Sequence, residues 1–174
     1  MKYIAIVAAV TLIPAGSLIA AEEKKESKSS SAAAAKSAAG EPNIQAADSL
    51  EWADAPPGLP AGGKLTVLDG DPGKRGSFIA RLKMPADYKI MPHTHPAAER
   101  VTVISGTLYV GTGDTLDENA GRKLSAGDFI VIPKGSKHSA WTATEEAVIQ
   151  IQSEGPFDVY YTNTADDPRK QKKD

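Results

Sequence analysis

Three histidines and one glutamate in this chain have the types and spacing of metal ligands. The segment MPHTHPAAERVTVISG, residues 91–106, contains His93 and His95 and places Glu99 four residues after the second of them. His138 lies far along the chain in GDFIVIPKGSKHSAW. Neutral imidazole is the commonest protein ligand for metals, so a site that collects these side chains would bind an ion. Because the chain has no cysteine, a thiolate zinc site and a cysteine nucleophile are both excluded.

The backbone expected around these residues places them on one side. In an extended strand, residues i and i+2 face the same way, so His93 and His95 project from one face. Pro96 disfavours a helical conformation in the residue before it and keeps His95 extended. After a corner at PAAE, Glu99 can return its carboxylate toward the same interior. In the segment KHSAWT, alternate residues starting from His138 again share one side.

Three imidazoles with one carboxylate suit a divalent transition ion. A buried Glu99 without a cation would carry a large desolvation penalty, which a bound ion removes. Four protein ligands leave one or two positions open on an ion that accepts five or six, and these could take water, dioxygen or a substrate. The alternative interpretation is a hydrogen-bonded polar cluster in a metal-free pocket.

Short runs of alternating or β-branched residues between Leu50 and about Thr164 predict an all-β domain. Turns rich in glycine, proline and aspartate, such as DGDPGKRG and SAGD, separate these runs. No segment after Trp52 has the length and period of a core helix. A set of roughly eight to ten short strands favours a sandwich or barrel, with the jelly roll as the natural choice. The predicted strands are KLTVL, SFIARLKM, YKIMPHTH, ERVTVIS, TLYVG, DFIVIP, HSAWTA, AVIQIQS and FDVYYT.

Two segments resemble the paired motifs of the cupin superfamily. The first motif, H-x-H, three residues, E, six residues and G, is matched by His93, His95, Glu99 and Gly106. The second, G, five residues, P-x-G, two residues and H, is matched by Gly127, Pro133, Gly135 and His138. Asp87 stands where the first motif usually opens with glycine, and Thr142 where the second usually closes with asparagine. The motifs cover about residues 87–142, and the strand pattern extends the likeness to roughly 64–162.

This resemblance to small single-domain bacterial cupins implies a fold and a ligand set. The implied fold is a cupin jelly-roll barrel, or double-stranded β-helix, and the implied ligands are His93, His95, Glu99 and His138. The implied cofactor is a divalent transition metal: iron, manganese, nickel, copper or zinc. Cupins include dioxygenases, isomerases, decarboxylases and lyases, and also proteins that only bind ligands, so the fold does not select among these. We expect a small dioxygenase-like metalloenzyme acting on a small oxygenated or aromatic compound; the alternative is a non-catalytic module that binds a metal or small ligand.

Side chains beyond the four ligands could also contact a substrate, although aromatic residues in a β core more often serve packing. The six candidates are Tyr88, Met91, Phe129, Trp141, Gln150 and Tyr160. Gln150 is singled out because it interrupts the apolar run AVIQIQS. The plainer interpretation of Arg81 and Arg100 is that they are surface cations. The alternative is that they contact an anionic substrate.

Composition divides the chain into four parts. Residues 1–21 have the pattern of a signal peptide, a lysine followed by an apolar run that ends in small residues. This predicts export to the periplasm or the cell exterior, with no stable membrane span after cleavage. Residues 22–48 are a low-complexity flexible linker, and residues 49–164 are the cupin domain. Residues 165–174 form a polar tail whose lysines and Arg169 are expected to be solvated.

The expected partners follow from charge and from sheet edges. The chain has 20 Lys and Arg against 22 Asp and Glu, a net charge of −2, so no basic field favours nucleic acid. The expected partner is a small-molecule ligand or substrate. A jelly roll also exposes sheet edges, and we expect a homodimer or a higher oligomer, with LEWADAPPGLP, which contains Trp52, as the candidate segment for crossing to a second copy. The alternative is that Trp52 folds back on its own barrel.

Overall fold

The computed structural model describes residues 42–171. The predicted signal peptide and most of the predicted linker therefore lie outside the described residues. Within them, no helix is long and apolar enough to cross a membrane. The three 3-10 helices of this range are Ala47–Ser49, Thr164–Asp166 and Pro168–Lys170. Its strands are β1 Ala53–Asp54, β2 Lys64–Asp69, β3 Gly76–Met84, β4 Lys89–Thr94, β5 Glu99–Ser105, β6 Thr107–Thr112, β7 Arg122–Ser125, β8 Phe129–Ile132, β9 His138–Trp141, β10 Ala147–Gly155 and β11 Tyr160–Tyr161.

The strands form two antiparallel sheets. The first has six strands in the order β1-β2-β3-β10-β5-β8, and the second has five in the order β11-β4-β9-β6-β7. Partners are often distant in sequence, since β10 lies between β3 and β5 and β9 lies between β4 and β6. This arrangement confirms the predicted all-β, jelly-roll class.

The apolar core contains side chains from both sheets, placed there by strand alternation. On β3 every second residue from Phe78 to Met84 is buried, and the residues between are partly exposed. The inward row of β5 starts with Glu99 and continues through Val101 and Val103, which confirms the parity predicted for that strand. Each fully buried Val, Leu or Phe stabilises the fold by about 1.5–3 kcal/mol. Glu99, a predicted metal ligand, is thus the first residue of an inward row on β5 that is otherwise apolar.

Two strands are not predicted by the sequence, and one predicted strand is much shorter. β1 has only two residues, and β7, with the sequence RKLS, has no β-branched or aromatic residue. β7 exists because its backbone pairs with β6 over Thr107 to Val110. The predicted strand FDVYYT is reduced to β11, because residues 157–159 form a loop beside the histidines.

Both departures from the cupin motifs are accommodated locally. Asp87 has φ +58°, the left-handed region that favours glycine, which is the usual residue there. Thr142 is buried, and its Oγ1 accepts a hydrogen bond from the backbone N of Tyr88 at 3.0 Å while it donates to the carbonyl of Pro85. Gly106, which matches the last glycine of the first motif, has φ +72°, and any Cβ at this position would collide with the Glu146 carbonyl.

The segment around Trp52 folds back on its own domain. β1 pairs with β2, with Ala53 opposite Leu65. Lys83 Nζ lies 4.5 Å above the centre of the Trp52 ring, a cation-π contact within the chain. The structure thus shows the alternative interpretation, in which the Trp52 segment folds back on its own barrel. The segment gives no support for the predicted dimer.

Candidate metal centre

The four predicted ligands come from three strands and one loop that meet at one place. His93 lies near the end of β4, His95 follows that strand, Glu99 begins β5 and His138 begins β9. Antiparallel pairing sets His93 directly opposite His138. All four side chains are buried, with 2% to 6% of each residue exposed. The structure therefore brings together the residues that the sequence nominated.

The distances among these side chains suit a single ion. One ligand atom from each of the three imidazoles lies within 4.8 Å of one from each of the other two. Nε2 of His95 lies 3.5 Å from Glu99 Oε2, and Nε2 of His138 lies 3.6 Å from the same oxygen. The ring centres of His93 and His138 are 4.2 Å apart. The three rings could thus hold one metal ion, with the Glu99 carboxylate beside them.

Backbone carbonyls orient all three rings in the same way. Nδ1 of His93 donates to the carbonyl of Met91 at 2.7 Å, and Nδ1 of His138 donates to that of Ser136 at 3.0 Å. Nδ1 of His95 donates to the carbonyl of Asp158 at 2.8 Å. Because a carbonyl only accepts, the Nδ1 atoms carry the protons. A neutral ring then presents an unprotonated Nε2, the form that binds a metal.

The surroundings favour the neutral form of two of these rings. Burial lowers the pKa of His93 well below its usual value, and the neighbouring His138 and His95 lower it further. Burial also lowers the pKa of His95, although the Glu99 carboxylate partly opposes this. Near neutral pH both rings are therefore uncharged and able to donate a lone pair.

In this arrangement, ring nitrogens of the histidines face a carboxylate oxygen of Glu99. Atoms of both kinds can donate a lone pair to a bound cation. The Nε2 atoms of His95 and His138 both face one Glu99 oxygen, at distances too long for hydrogen bonds. Among residues 42–171, no side-chain or backbone donor forms a hydrogen bond with the Glu99 carboxylate. A metal ion would satisfy both lone pairs and the buried charge. The donor set, imidazole nitrogen and carboxylate oxygen without sulfur, fits a divalent transition ion.

The loop that orients His95 is itself held by the end of the described chain. The Arg169 guanidinium donates to both carboxylate oxygens of Asp158, at 3.0 and 3.1 Å, and to the carbonyl of Val159 at 2.8 Å. The same guanidinium forms two hydrogen bonds with Asp167, whose pKa they lower. Arg169 is exposed, as predicted, and it also connects the tail to the loop beside His95 through these hydrogen bonds.

A cavity of about 160 Å³ lies beside the four residues, between the two sheets. Phe157 lies at one side of it, and its ring stacks on His95 with centres 4.3 Å apart and planes at 20°. Phe157 and Asp158 are site residues that sequence reasoning missed. No motif or spacing links them to the histidines, and only the tertiary fold brings this loop to His95.

None of the six further candidates lines this cavity. Trp141 is buried and stacks on Tyr109, with ring centres 5.7 Å apart. The hydroxyl of Tyr88 donates to the carbonyl of Pro60 at 2.6 Å, and Met91 lines a separate surface hollow. Phe129 and Tyr160 are 57% and 50% exposed. These five residues thus lie outside the cavity, and Tyr88 and Trp141 serve packing, the interpretation that the sequence favoured.

Gln150 and the two nominated arginines lie away from the cavity as well. Arg81 Nε donates to Gln150 Oε1 at 3.2 Å, a bond between neighbouring strands of the first sheet. On β3 and β10 these residues alternate with the buried positions, so they belong to the outer row. Arg100 is exposed on the outer row of β5. The plainer interpretation of both arginines is confirmed.

Comparison with known proteins places this geometry in a family. A family model described as the ChrR cupin-like domain matches residues 41–158. A putative germin-like protein 9-2 of Oryza sativa subsp. japonica is 35% identical over 120 residues, which are 68% of this chain and 50% of that protein. The chain therefore spans about half the length of this curated relative.

Solved structures share the fold at low sequence identity. The polyketide cyclase RemF from Streptomyces resistomycificus superposes with a TM-score of 0.61 at 16% identity, covering 74% of this chain and 91% of RemF. An RmlC-like cupin from Shewanella frigidimarina gives a TM-score of 0.50 at 17% identity, covering 66% of this chain and 91% of that one. These likenesses confirm the double-stranded β-helix fold implied by the two motifs.

Proposed function

The chain belongs to the ChrR cupin-like family, and from this premise we propose that it binds one divalent transition metal ion through His93, His95, Glu99 and His138. The observation that carries the proposal is the convergence of three buried imidazoles and one carboxylate, with each ring oriented through its Nδ1 by a backbone carbonyl. Nε2 of His95 and Nε2 of His138 lie 3.5 and 3.6 Å from the same Glu99 oxygen. Iron, manganese, nickel, copper and zinc all accept such ligands.

We propose further that the protein is a small metalloenzyme, dioxygenase-like, that acts on a small oxygenated or aromatic compound. When bound, a metal with open positions could supply a binding place for dioxygen or polarise an oxygen of the substrate. The chain's own residues hold the ligands in place, since three carbonyls fix the rings. The apolar cavity would exclude water from a bound substrate.

The specific observation in favour of an enzyme is a cavity that opens directly onto the histidines. His93, His95, Glu99 and His138 all line it, so a molecule inside would lie against the proposed ion. RemF is named as a polyketide cyclase, which shows that this fold carries enzymes, while the likeness itself concerns the fold alone. The second candidate is a binding module that holds the metal or a small ligand without turnover.

Metal reconstitution tests the ligand set. Metal-free protein is loaded with each ion in turn, dialysed, and assayed for bound metal by mass spectrometry, with one ion per chain expected. Glu99→Gln and His138→Ala should reduce the bound fraction at least tenfold, because each removes a ligand. Ser139→Ala is the matched control: the Ser139 hydroxyl is buried without a hydrogen-bond partner, so its removal should leave both metal content and fold intact.

Oxygen consumption separates enzyme from binder. Each metal-loaded form is followed with an oxygen electrode over a panel of phenolic and enediol compounds. We expect uptake with iron, manganese or copper, and little with zinc, which has no accessible redox change. No uptake with any ion, together with measurable ligand binding, would support the binding module instead.

A further inference from the structure

The cavity beside the proposed metal site has an asymmetric lining. Its walls are aliphatic and aromatic and come from both sheets, with Leu65, Leu82 and Ile149 on one side and Ile90, Leu108 and Val110 on the other. Its only polar side chains, among the residues that the structure describes, are the three histidines, Glu99 and Asp158. The polar groups thus occupy the end at the histidines, and the rest of the surface offers no hydrogen bond from a side chain.

No cation faces the cavity within the described part of the chain. The two arginines that could have met an anionic substrate, Arg81 and Arg100, lie on the outer rows of β3 and β5. Asp158 lines the cavity, and its carboxylate is already paired with Arg169 outside it. A ligand with a charge away from the histidines would bury that charge without a partner, which costs far more than burying a neutral group.

The volume of the cavity sets a second limit on the ligand that it can take. At about 160 Å³, the space is close to that of engineered apolar cavities of about 150 Å³ that take up benzene. One six-membered ring therefore fits within it. A sugar of that size would bring several hydroxyl groups against aliphatic walls and leave them without partners.

We propose that this cavity takes an uncharged, single-ring-sized, mostly apolar molecule whose one polar group lies at the end that faces the histidines. Sugars, and ligands that carry a charge at the far end, are excluded. The inference rests on the proposed metal site, since a bound ion would meet the polar group. It narrows the substrate class of that site to small neutral compounds of the phenol or cyclic-alcohol type.

Two matched ligand pairs test the chemistry, with the full chain in both metal-free and metal-loaded forms. 4-Methylphenol and 4-hydroxybenzoate differ at the far end by a charge, and cyclohexanol and myo-inositol share a ring but differ in the number of hydroxyls. Isothermal titration calorimetry and amide chemical shifts report binding and its location without turnover. We expect the first member of each pair to bind at least tenfold more tightly, with shifts at β6 and β9.

Variants of the lining test the location. Ala140→Leu should fill the cavity and weaken 4-methylphenol binding at least tenfold while bound metal is retained. If that variant does not fold, Val110→Ala provides the reciprocal test: it enlarges the cavity and should increase the affinity for 2-naphthol relative to 4-methylphenol. Phe129→Ala, an exposed aromatic outside the cavity, is the control and should change neither affinity.

The outcomes separate the two proposals. Equal binding within either pair, absence of binding by both neutral ligands, or shifts confined to the outer surface would overturn the ligand class. If the neutral ligands fail to bind while one metal per chain is retained, the metal site stands and the ligand class falls. If they bind to protein that holds no metal under any condition, the ligand class stands and the metal site falls.

Discussion

At the scale of single residues, the candidate site depends on which imidazole nitrogen carries the proton. His93 and His138 each donate from Nδ1 to a carbonyl two residues earlier in the chain. His95 instead donates to Asp158, which is 63 residues away. In all three cases the hydrogen bond fixes the tautomer and leaves Nε2 free for an ion. Two rings are therefore oriented by the backbone just before them in the chain, and the third by a distant loop.

The metal-free protein should lose stability as the pH falls. The folded state lowers the pKa of His93 and His95 below the ordinary 6.5, so below that value the unfolded chain binds more protons than the folded one. The stabilising contribution is thus present above about pH 6.5 and is lost as the pH falls through the lowered values. Urea unfolding at about pH 8 and about pH 5.5 measures the difference.

A variant with both His93→Gln and His95→Gln serves as the control for this pH dependence. Its unfolding free energy should change less between the two conditions, because neither glutamine titrates. An equal change in the original and the variant would contradict the assignment to these histidines.

Asp87 should tolerate glycine better than any branched residue. Its φ of +58° costs most side chains about 1–2 kcal/mol, and glycine adopts it without that cost. Asp87→Gly should therefore leave the thermal unfolding temperature unchanged or raise it, and Asp87→Val should lower stability by about 1–2 kcal/mol or more. Calorimetry of the three proteins measures this; a valine variant as stable as the glycine variant would refute the explanation.

At the scale of elements, the loop at residues 157–159 is as much a part of the site as the strands. It supplies the carbonyl that orients His95 and the aromatic ring that stacks on it. The 3-10 helices at Thr164–Asp166 and Pro168–Lys170 follow it and bring Arg169 back to the same loop. The matched family model ends at residue 158, so this support comes from residues beyond it.

Arg169→Gln should weaken metal binding without unfolding the domain. Loss of the hydrogen bonds to Asp158 and Val159 frees the loop that fixes His95, and partners of metal ligands typically change affinity by about 10–100-fold. We expect a decrease of about tenfold, at the lower end of that range because Arg169 acts through the loop. Competition with a chelator measures the affinity, and the electron paramagnetic resonance spectrum of the copper-loaded form reports ligand geometry.

Two variants control this experiment. Lys170→Gln removes a neighbouring exposed charge and should leave both affinity and spectrum unchanged. Arg169→Lys keeps the charge but not the planar fork that reaches several acceptors, so it should restore the affinity only in part. An affinity that falls equally in the Lys170 variant, or that does not fall in Arg169→Gln, would show that Arg169 does not position the site.

At the scale of the whole molecule, a homodimer and export stay predictions. β8 is an edge strand of the six-stranded sheet, and its side chains Phe129 and Val131 are 57% and 49% exposed. An antiparallel pairing of β8 with the same strand of a second copy would be self-complementary about a twofold axis and would bring these side chains of the two copies side by side. This differs from the predicted crossing of the Trp52 segment, which packs on its own domain.

Light scattering should therefore give the mass of a dimer at moderate concentration. Val131→Lys places a charge on the exposed edge and should shift the mass toward that of a monomer. Lys134→Gln, a change at a neighbouring position after the strand, should leave the mass unchanged. A single monomer mass for the original protein at every concentration would contradict the dimer.

The sequence by itself determined the all-β class, most of the strands and the four clustered residues. Strand alternation has a period of two, so His93 and His95 had to share a face, and Glu99 had to lie in the row of Val101 and Val103. These are local rules, and they do not depend on which strand becomes a neighbour. The paired motifs added His138, whose position opposite His93 is then set by antiparallel pairing.

The tertiary structure alone decided what surrounds those four residues. Phe157, Asp158 and Arg169 reach the site because the chain returns across the sheet after β10, a route that no local pattern encodes. The nominated aromatic residues and Gln150 could not be excluded beforehand, since alternation shows that two residues face opposite ways but not which face is inside. Which face of a strand is buried depends on how the two sheets pack. The residues that line the cavity could therefore be identified only from the tertiary structure, whereas the predicted metal ligands could be identified from the sequence.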